Sequence, residues 1–311
     1  MNSEHRVLIT GGWGFIGSWA AVALSSAGCT VGIFDQREDR ALLRRIGVPG
    51  CHEPMVAIRG DIRDQESVHA AFNSFRPNAV LHLAAALIPT CESDPALGAS
   101  VNVVGLVNVF EAARKAAVER IVYTSSAAAH VRNHSGALTS LYGAYKLVGE
   151  EIARIYWESN GIPSIGLRPS VVYGYGRGRS KAGGGMTAAF NHAIAAAISG
   201  EPYEIPLTGS YRFESVEEVS DVIVRCVSAR LEGALVSDIT TREIPVTEFV
   251  ALLTRLFPNS KIASSQIPTV RRSEAADNAP LMGLVGDWSH IDLATGIARL
   301  AERFRGDLAG S

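Results

Sequence analysis

Over the first 170 positions, apolar residues fall in short unbroken runs: Val7–Thr10, Thr30–Phe34, Met55–Ile58, Ala79–Leu83, Arg120–Thr124 and Pro163–Leu167. Continuous rather than alternating apolarity is expected of strands covered on both faces. Longer stretches with helical spacing separate these runs, among them Ala96–Ala117 and Leu141–Tyr156. The alternation predicts an α/β fold with a doubly wound parallel sheet of the Rossmann kind and a smaller C-terminal substrate lobe. From about Pro169 the rhythm breaks, because Gly174, Gly176, Gly178 and the run Gly183–Gly185 interrupt any regular element. The predicted division is 1–169 with 213–240 for the dinucleotide-binding part, and 170–212 with 241–311 for the lobe. Val216–Ala229 predicts a helix, Ala234–Ile239 a strand and Thr247–Phe257 a helix with Thr247 as its N-cap, shared between the two parts. The polar stretch Arg271–Asn278 predicts a surface loop.

Composition narrows the class. Of 311 residues, 47% are hydrophobic and 19% charged, which suits a globular enzyme with buried strands. A formal net charge of −2 offers no long-range attraction to nucleic acid or to an anionic membrane, so the expected partner is a small molecule. Cys29, Cys51, Cys91 and Cys226 have neither zinc-site spacing nor the density of a disulfide scaffold, and no histidine–carboxylate cluster predicts a metal. The opening MNSEHRVLIT runs straight into a strand-like segment rather than a signal sequence, and no later apolar run approaches ~18 residues. A cytoplasmic protein is the expectation.

The first strand leads into Thr10-Gly11-Gly12-Trp13-Gly14-Phe15-Ile16-Gly17, and an apolar helical pattern follows at once. A glycine turn between strand and helix lets the backbone approach a pyrophosphate, whose charge the helix start attracts. The second strand ends at Asp35, about 20 residues past the glycines, where a carboxylate accepts hydrogen bonds from the adenosine ribose. The same carboxylate repels the extra phosphate of NADP, with Arg37 and Arg40 close enough to offset part of that repulsion. The predicted cofactor is therefore NAD.

Tyr142 and Lys146 are four positions apart within a helical pattern, so their side chains share one face. An ammonium beside a phenol favours phenolate, which suits Tyr142 to general acid–base work on a hydroxyl. Upstream, Thr124-Ser125-Ser126 ends a strand on the side where ligands bind in open α/β sheets, and Ser126 is a candidate to hold the reacting oxygen.

With these pieces in order, the chain resembles the extended short-chain dehydrogenase/reductases of the NAD-dependent epimerase/dehydratase type. Further matching motifs are Gly60-Asp61-Ile62, His82-Leu83-Ala84-Ala85, Asn102-Val103-Val104-Gly105, Tyr142-Gly143-Ala144-Tyr145-Lys146 and Leu167-Arg168-Pro169-Ser170-Val171-Val172-Tyr173-Gly174. The resemblance implies a catalytic Ser126, Tyr142 and Lys146, the lysine also binding the nicotinamide ribose. It further implies a cofactor site formed by Gly11, Gly14, Phe15, Ile16, Gly17, Asp35, Asp61, Ile62, Leu83, Ala84, Ala85, Pro169 and Val171, with Asn102 supporting it from the neighbouring helix. It implies a homodimer too, through helices equivalent to Ala96–Ala117 and Tyr142–Tyr156.

Departures from the family pattern bear on substrate. Ser170 stands where nucleotide-sugar epimerases often have asparagine, and His130-Val131 where a tyrosine-glycine pair is usual. Around Tyr211-Arg212-Phe213 the arginine that grips a nucleotide diphosphate is out of register or replaced. Ala127 and Ala128 occupy the place of the acid pair of dehydratases. The leading expectation is hydride transfer at a secondary alcohol of a sugar, sugar acid or related polyol. The alternatives are a nucleotide-sugar epimerase and a catalytically silent NAD-binding regulatory protein. The loop bearing Arg177, Arg179 and Lys181 is a candidate reader of an anionic substrate, with a solvated basic loop as the alternative. His130 and His134 are placed between substrate contact and ordinary surface loop, and His82 is expected to be a satisfied core residue.

Overall fold

The computed structural model describes residues 5–47, 55–176, 186–265, 272–273 and 275–309. Seven parallel strands form the main sheet, in the spatial order Ala234–Asp238, Ser164–Arg168, Arg120–Thr124, Ala79–His82, Arg6–Thr10, Thr30–Asp35 and Val56–Arg59. Their residues are buried almost throughout in the four central strands, as unbroken Val, Ile and Leu runs require. Strand order reverses between Arg6–Thr10 and Ala79–His82, and ligands of such sheets bind in the crevice at that point. Gly11 and Leu83, the residues following these two strands, meet there.

The helix Phe15–Ser26 packs on Val216–Ser228 across one face, while Gln65–Phe75 and Gly105–Lys115 cover the other. The helical stretch predicted over Ala96–Ala117 is three pieces: Pro95–Ala99, a π turn at Ser100–Val104, and Gly105–Lys115. By length and composition alone Pro95–Lys115 could cross a membrane, with mean hydropathy 1.5, but half of the window that qualifies is buried within the fold.

Beyond Arg168 the chain builds a smaller assembly on the carboxyl ends of the strands. Ser210–Ser215 pairs in parallel with Val171–Tyr173 and antiparallel with Glu243–Pro245, and Pro202–Ile205 pairs with Lys261–Ser264. Phe190, Phe213 and Phe249 interlock beneath this sheet, Phe213 and Phe249 stacked at 4.9 Å between centroids, each such pair contributing about 0.5–1.5 kcal/mol beyond burial. One apolar cluster runs from Val7 and Ile9 of the main sheet through Tyr173 to these rings, and a buried ion pair between Arg212 and Asp238 ties the lobe to the edge strand of the sheet.

Two local expectations change. The helix near Thr247 spans Val246–Leu256 with Pro245 in the capping position and no side-chain cap, because the strand pairing of Ile244 with Tyr211 runs directly into it. Within Arg271–Asn278, Arg272–Ser273 forms a short strand against Val131–Arg132, a pairing of residues distant in sequence that no local pattern announces.

Candidate active site

A cleft of about 530 Å³ opens at the strand-order reversal, lined by Gly11, Gly14, Asp35, Ile62 and Leu83–Ala85 together with Gln36 and Arg63. Gly11 adopts φ +71°, and a Cβ there would lie 2.7 Å from the Ala84 amide nitrogen, so only glycine permits this approach of the two strand ends. Gly14 precedes the 12-residue helix Phe15–Ser26, whose start has neither a side-chain cap nor an acidic residue. The helix start therefore borders the cleft at Gly14 with no carboxylate in its first turn, the arrangement that a pyrophosphate needs. Asp35 accepts hydrogen bonds from the Gln36 and Trp13 amides at 2.8 and 3.3 Å and still borders the cleft, leaving acceptor capacity for a ribose. Arg40 is turned to Glu38 and lies over the Trp13 ring, not among the residues lining the cleft. These features fit a dinucleotide.

Other predicted cofactor residues fall in varied positions. The Asp61 carboxylate is held by Arg63, whose hydrogen bond lowers its pKa to about 2, and it is Ile62 and Arg63 that line the wall. Asn102 sits in the π turn, where its amide donates to the carbonyls of Ala86 at 2.9 Å and Gly98 at 3.0 Å. It therefore shapes the loop after Ala85 from behind. Gly17 is buried against Gly11 and Gly12. Val171 is fully buried in the core, while its neighbours Ser170 and Val172 border the second pocket; Phe15 packs on the core cluster.

That second pocket, about 120 Å³, is lined by Ile16, Ser126, Tyr142, Pro169, Ser170 and Thr187 among others. Ser126 caps the short helical turn Ala127–His130, its Oγ accepting from the Ala128 amide at 3.2 Å. The helix Leu141–Asn160 begins against this turn: a Cβ on Gly143 would collide with the Ala128 carbonyl oxygen. Gly143 thereby brings the first turn of that helix, carrying Tyr142, up to the serine segment. Lys146 follows one turn later, buried, its Nζ 5.6 Å from the centre of the Tyr142 ring and donating to the Thr124 carbonyl at 2.7 Å. Burial lowers the Lys146 pKa to about 8, so the ammonium is desolvated yet still charged at neutral pH. His82, fully buried and bonded to Thr10 Oγ1 at 2.7 Å, is held neutral first by burial and then by the Lys146 charge, with a pKa of about 3. It is a core residue, as its setting in the strand implied.

On the lobe side, Arg212 is buried in an ion pair with Asp238 at 2.9 Å and so cannot reach into the pocket as a phosphate grip. Glu214, two residues on, is fully buried and accepts from the Ser170 amide at 3.1 Å; burial raises its pKa to about 8. Nothing in the sequence reading had singled it out. His130 lies against Glu150 at 3.6 Å, and His134 is exposed. Arg177, Arg179 and Lys181 lie outside the described residues. Among the described residues no cluster of three or more His, Cys, Asp or Glu could hold a metal.

Comparison with known proteins agrees with this geometry. The sequence pattern of the NAD dependent epimerase/dehydratase family matches residues 7–234. UDP-glucose 4-epimerase of Mycolicibacterium smegmatis is 28% identical over 320 residues, spanning 96% of this chain and 98% of that protein. UDP-glucuronate 4-epimerase 5 of Arabidopsis thaliana is 26% identical over 350 residues, spanning 98% of this chain and 76% of that protein. Among solved structures, UDP-glucose 4-epimerase of Thermus thermophilus in complex with NAD superposes with a TM-score of 0.79 at 26% identity, over 97% of this chain and 99% of that one. MoeE5 in complex with UDP-glucuronic acid and NAD gives the same score and identity over the same shares.

Proposed function

The chain belongs to the NAD dependent epimerase/dehydratase family, and on that premise we propose that it transfers hydride reversibly at a secondary alcohol of a sugar, with epimerisation of a nucleotide-linked hexose as its net reaction. One observation carries the reading: Ser126, Tyr142 and the Pro169–Ser170 wall share one small pocket, with Lys146 buried behind the tyrosine ring. Gly11, Gly14, Asp35, Ile62 and Leu83–Ala85 would hold NAD along the larger cleft. NAD, when bound, supplies the acceptor and donor of the hydride.

The protein's own part is proton handling and orientation. Ser126 Oγ, kept in place by the Ala128 amide, hydrogen-bonds the substrate hydroxyl. Tyr142 takes the hydroxyl proton as the carbon gives up hydride, and returns it when hydride comes back. The desolvated Lys146 ammonium stabilises the phenolate in the interval, an attraction strengthened by its burial. In epimerisation the ketone stays bound and receives hydride on its other face, so redox balance closes within one turnover.

Similarity to UDP-sugar 4-epimerases along nearly the whole chain supports a nucleotide-linked substrate. A second reading, an unlinked sugar acid or polyol, draws support from the burial of Arg212 against Asp238 and from Ser170. Offering UDP-glucose, UDP-glucuronate and free sugar acids with NAD, and following products by proton NMR, separates the two. Turnover of none of them would favour a silent NAD-binding protein.

We also propose a homodimer and a cytoplasmic location. Leu141, Val148 and Ile155 recur at seven-residue spacing on helix Leu141–Asn160 and are 42%, 44% and 57% exposed, with Val104 of the adjacent π turn 47% exposed. Their spacing puts the three on one helix face, an apolar stripe suited to the same stripe on a second copy. Glutamate at Val148 and Ile155 should then yield monomers by light scattering; unchanged dimers, or a wild-type monomer, would refute it. The location is supported by Cys29, Cys91 and Cys226 being unpaired.

A further inference from the structure

Three segments meet in the substrate pocket: Ser126–Ala128, the start of helix Leu141–Asn160, and Pro169–Ser170. Behind that pocket all three are tied to one carboxylate. Glu150, 4% exposed, lies on the same helix as Lys146 and one turn beyond it. Arg168, next to Pro169, grips Glu150 through both terminal contacts, Nε to Oε1 at 2.8 Å and Nη2 to Oε2 at 2.6 Å. Ser125, next to Ser126, donates its hydroxyl to Oε1, and His130, which ends the turn begun at Ser126, faces Oε2 at 3.6 Å.

We propose that Glu150 is the positioning residue of this site, holding the Ser126 segment and the Pro169–Ser170 wall in register with Tyr142 and acting on Lys146 through its charge. The proposal rests on the catalytic roles given above to Ser126, Tyr142 and Lys146. A buried carboxylate is costly unless fully bonded, and paired donors on neighbouring segments make its bonding conditional on their mutual placement. Burial pushes the Glu150 pKa up, but the hydrogen bonds from Arg168 and Ser125, with His130 close by, outweigh it and hold the group at about 2, charged at every working pH. Tyr123, buried beside it, stays a neutral phenol, its pKa raised mainly by burial. Around Lys146 stand His82, Cys91, Tyr142 and Glu150; burial is what lowers the ammonium's pKa, and Cys91 and Glu150 oppose the fall. Glu150 therefore helps to keep charged the group on which Tyr142 depends.

The chain has only four lysines, so carbon-13 labelling of lysine resolves Lys146, assigned by its loss in Lys146→Arg. In Glu150→Gln the Lys146 titration midpoint should fall by about one to two pH units, the order expected for a charge roughly 6 Å away at an effective dielectric constant of about 20–40. Turnover should drop about tenfold or more as the pocket walls lose register, with NAD affinity unchanged and the alkaline limb of the rate profile following the midpoint. Ser125→Ala should lower turnover several-fold at an unmoved midpoint. If Glu150→Gln does not fold, Glu150→Met combined with Arg168→Met replaces the ion pair by apolar side chains, and because loss of the arginine charge offsets part of the loss of the carboxylate, a smaller downward shift is expected. A wild-type Lys146 midpoint in Glu150→Gln, or in the double variant if only that one folds, overturns the proposal, as does wild-type turnover in both Glu150→Gln and Ser125→Ala. Should the wild type act on no sugar, the proposed reaction fails while the lysine titration still decides whether Glu150 acts on Lys146.

Discussion

Glu214 should make the protein less stable as pH rises through neutrality, and Glu214→Gln should abolish that loss. Its carboxyl is fully buried, gives one oxygen to the Ser170 amide and has no hydrogen-bond partner for Oε1 among the described residues. Burial raises its pKa from 4.5 to about 8, with Ser170 and Arg212 opposing and Glu218 and Asp238 adding to the rise. A raised carboxyl pKa means that the native state keeps a proton the unfolded chain releases. Stability is therefore fully present below about pH 4.5, declines by about 1.4 kcal/mol per pH unit between the two values, and levels off above the folded value. Between pH 5.5 and 7.5 the single group should account for about 2–3 kcal/mol, a large share of a typical 5–15 kcal/mol. Glutamine retains shape and an acceptor for Ser170 but cannot ionise. Urea titrations of both proteins at the two pH values, read by tryptophan fluorescence, isolate the group because all other titrations cancel. The variant's stability relative to the wild type should rise by about 2–3 kcal/mol from pH 5.5 to pH 7.5. A stability difference that is the same at both pH values would refute the buried, proton-holding carboxyl.

Tyr142→Phe should keep NAD affinity while turnover falls about 10²–10⁴-fold, measured at saturating substrate. Gly143→Ala forces a methyl against the Ala128 carbonyl and should cost about 1–3 kcal/mol by denaturant melt, with a loss of turnover beyond the loss of folded protein. Asp35→Ala should weaken NAD by roughly 10–100-fold, the worth of hydrogen bonds to a charged group, and narrow its margin over NADP in calorimetric titration.

The strands and the dinucleotide turn were legible because they obey local rules: unbroken apolar runs, glycines at the turn, and an acidic strand end. The expected strands Met55–Ile58 and Pro163–Leu167 are displaced by one residue, to Val56–Arg59 and Ser164–Arg168. Tyr142 and Lys146 were legible because four-residue spacing on a helix fixes their shared face. What lay hidden depends on tertiary neighbours. The π turn exists where Asn102 reaches two carbonyls from different segments, and the pairing of Ser210–Ser215 with Val171–Tyr173 crosses some forty residues. Glu150 reads in sequence as one more acidic residue before another, Glu151, and only folding gives it Arg168, Ser125 and His130. Glu214 falls on the polar side of the alternating run Tyr211-Arg212-Phe213-Glu214, where it reads as a solvent-facing residue, and only folding buries it and gives it the Ser170 amide.

The central claim, hydride taken from and returned to a sugar carbon inside one pocket, is tested most directly with UDP-glucose deuterated at C4. The account predicts conversion to the C4 epimer with deuterium retained at that carbon, no exchange with solvent, and no net NADH at equilibrium. No epimer with any offered sugar, or an epimer whose C4 deuterium has been replaced by solvent hydrogen, would contradict it.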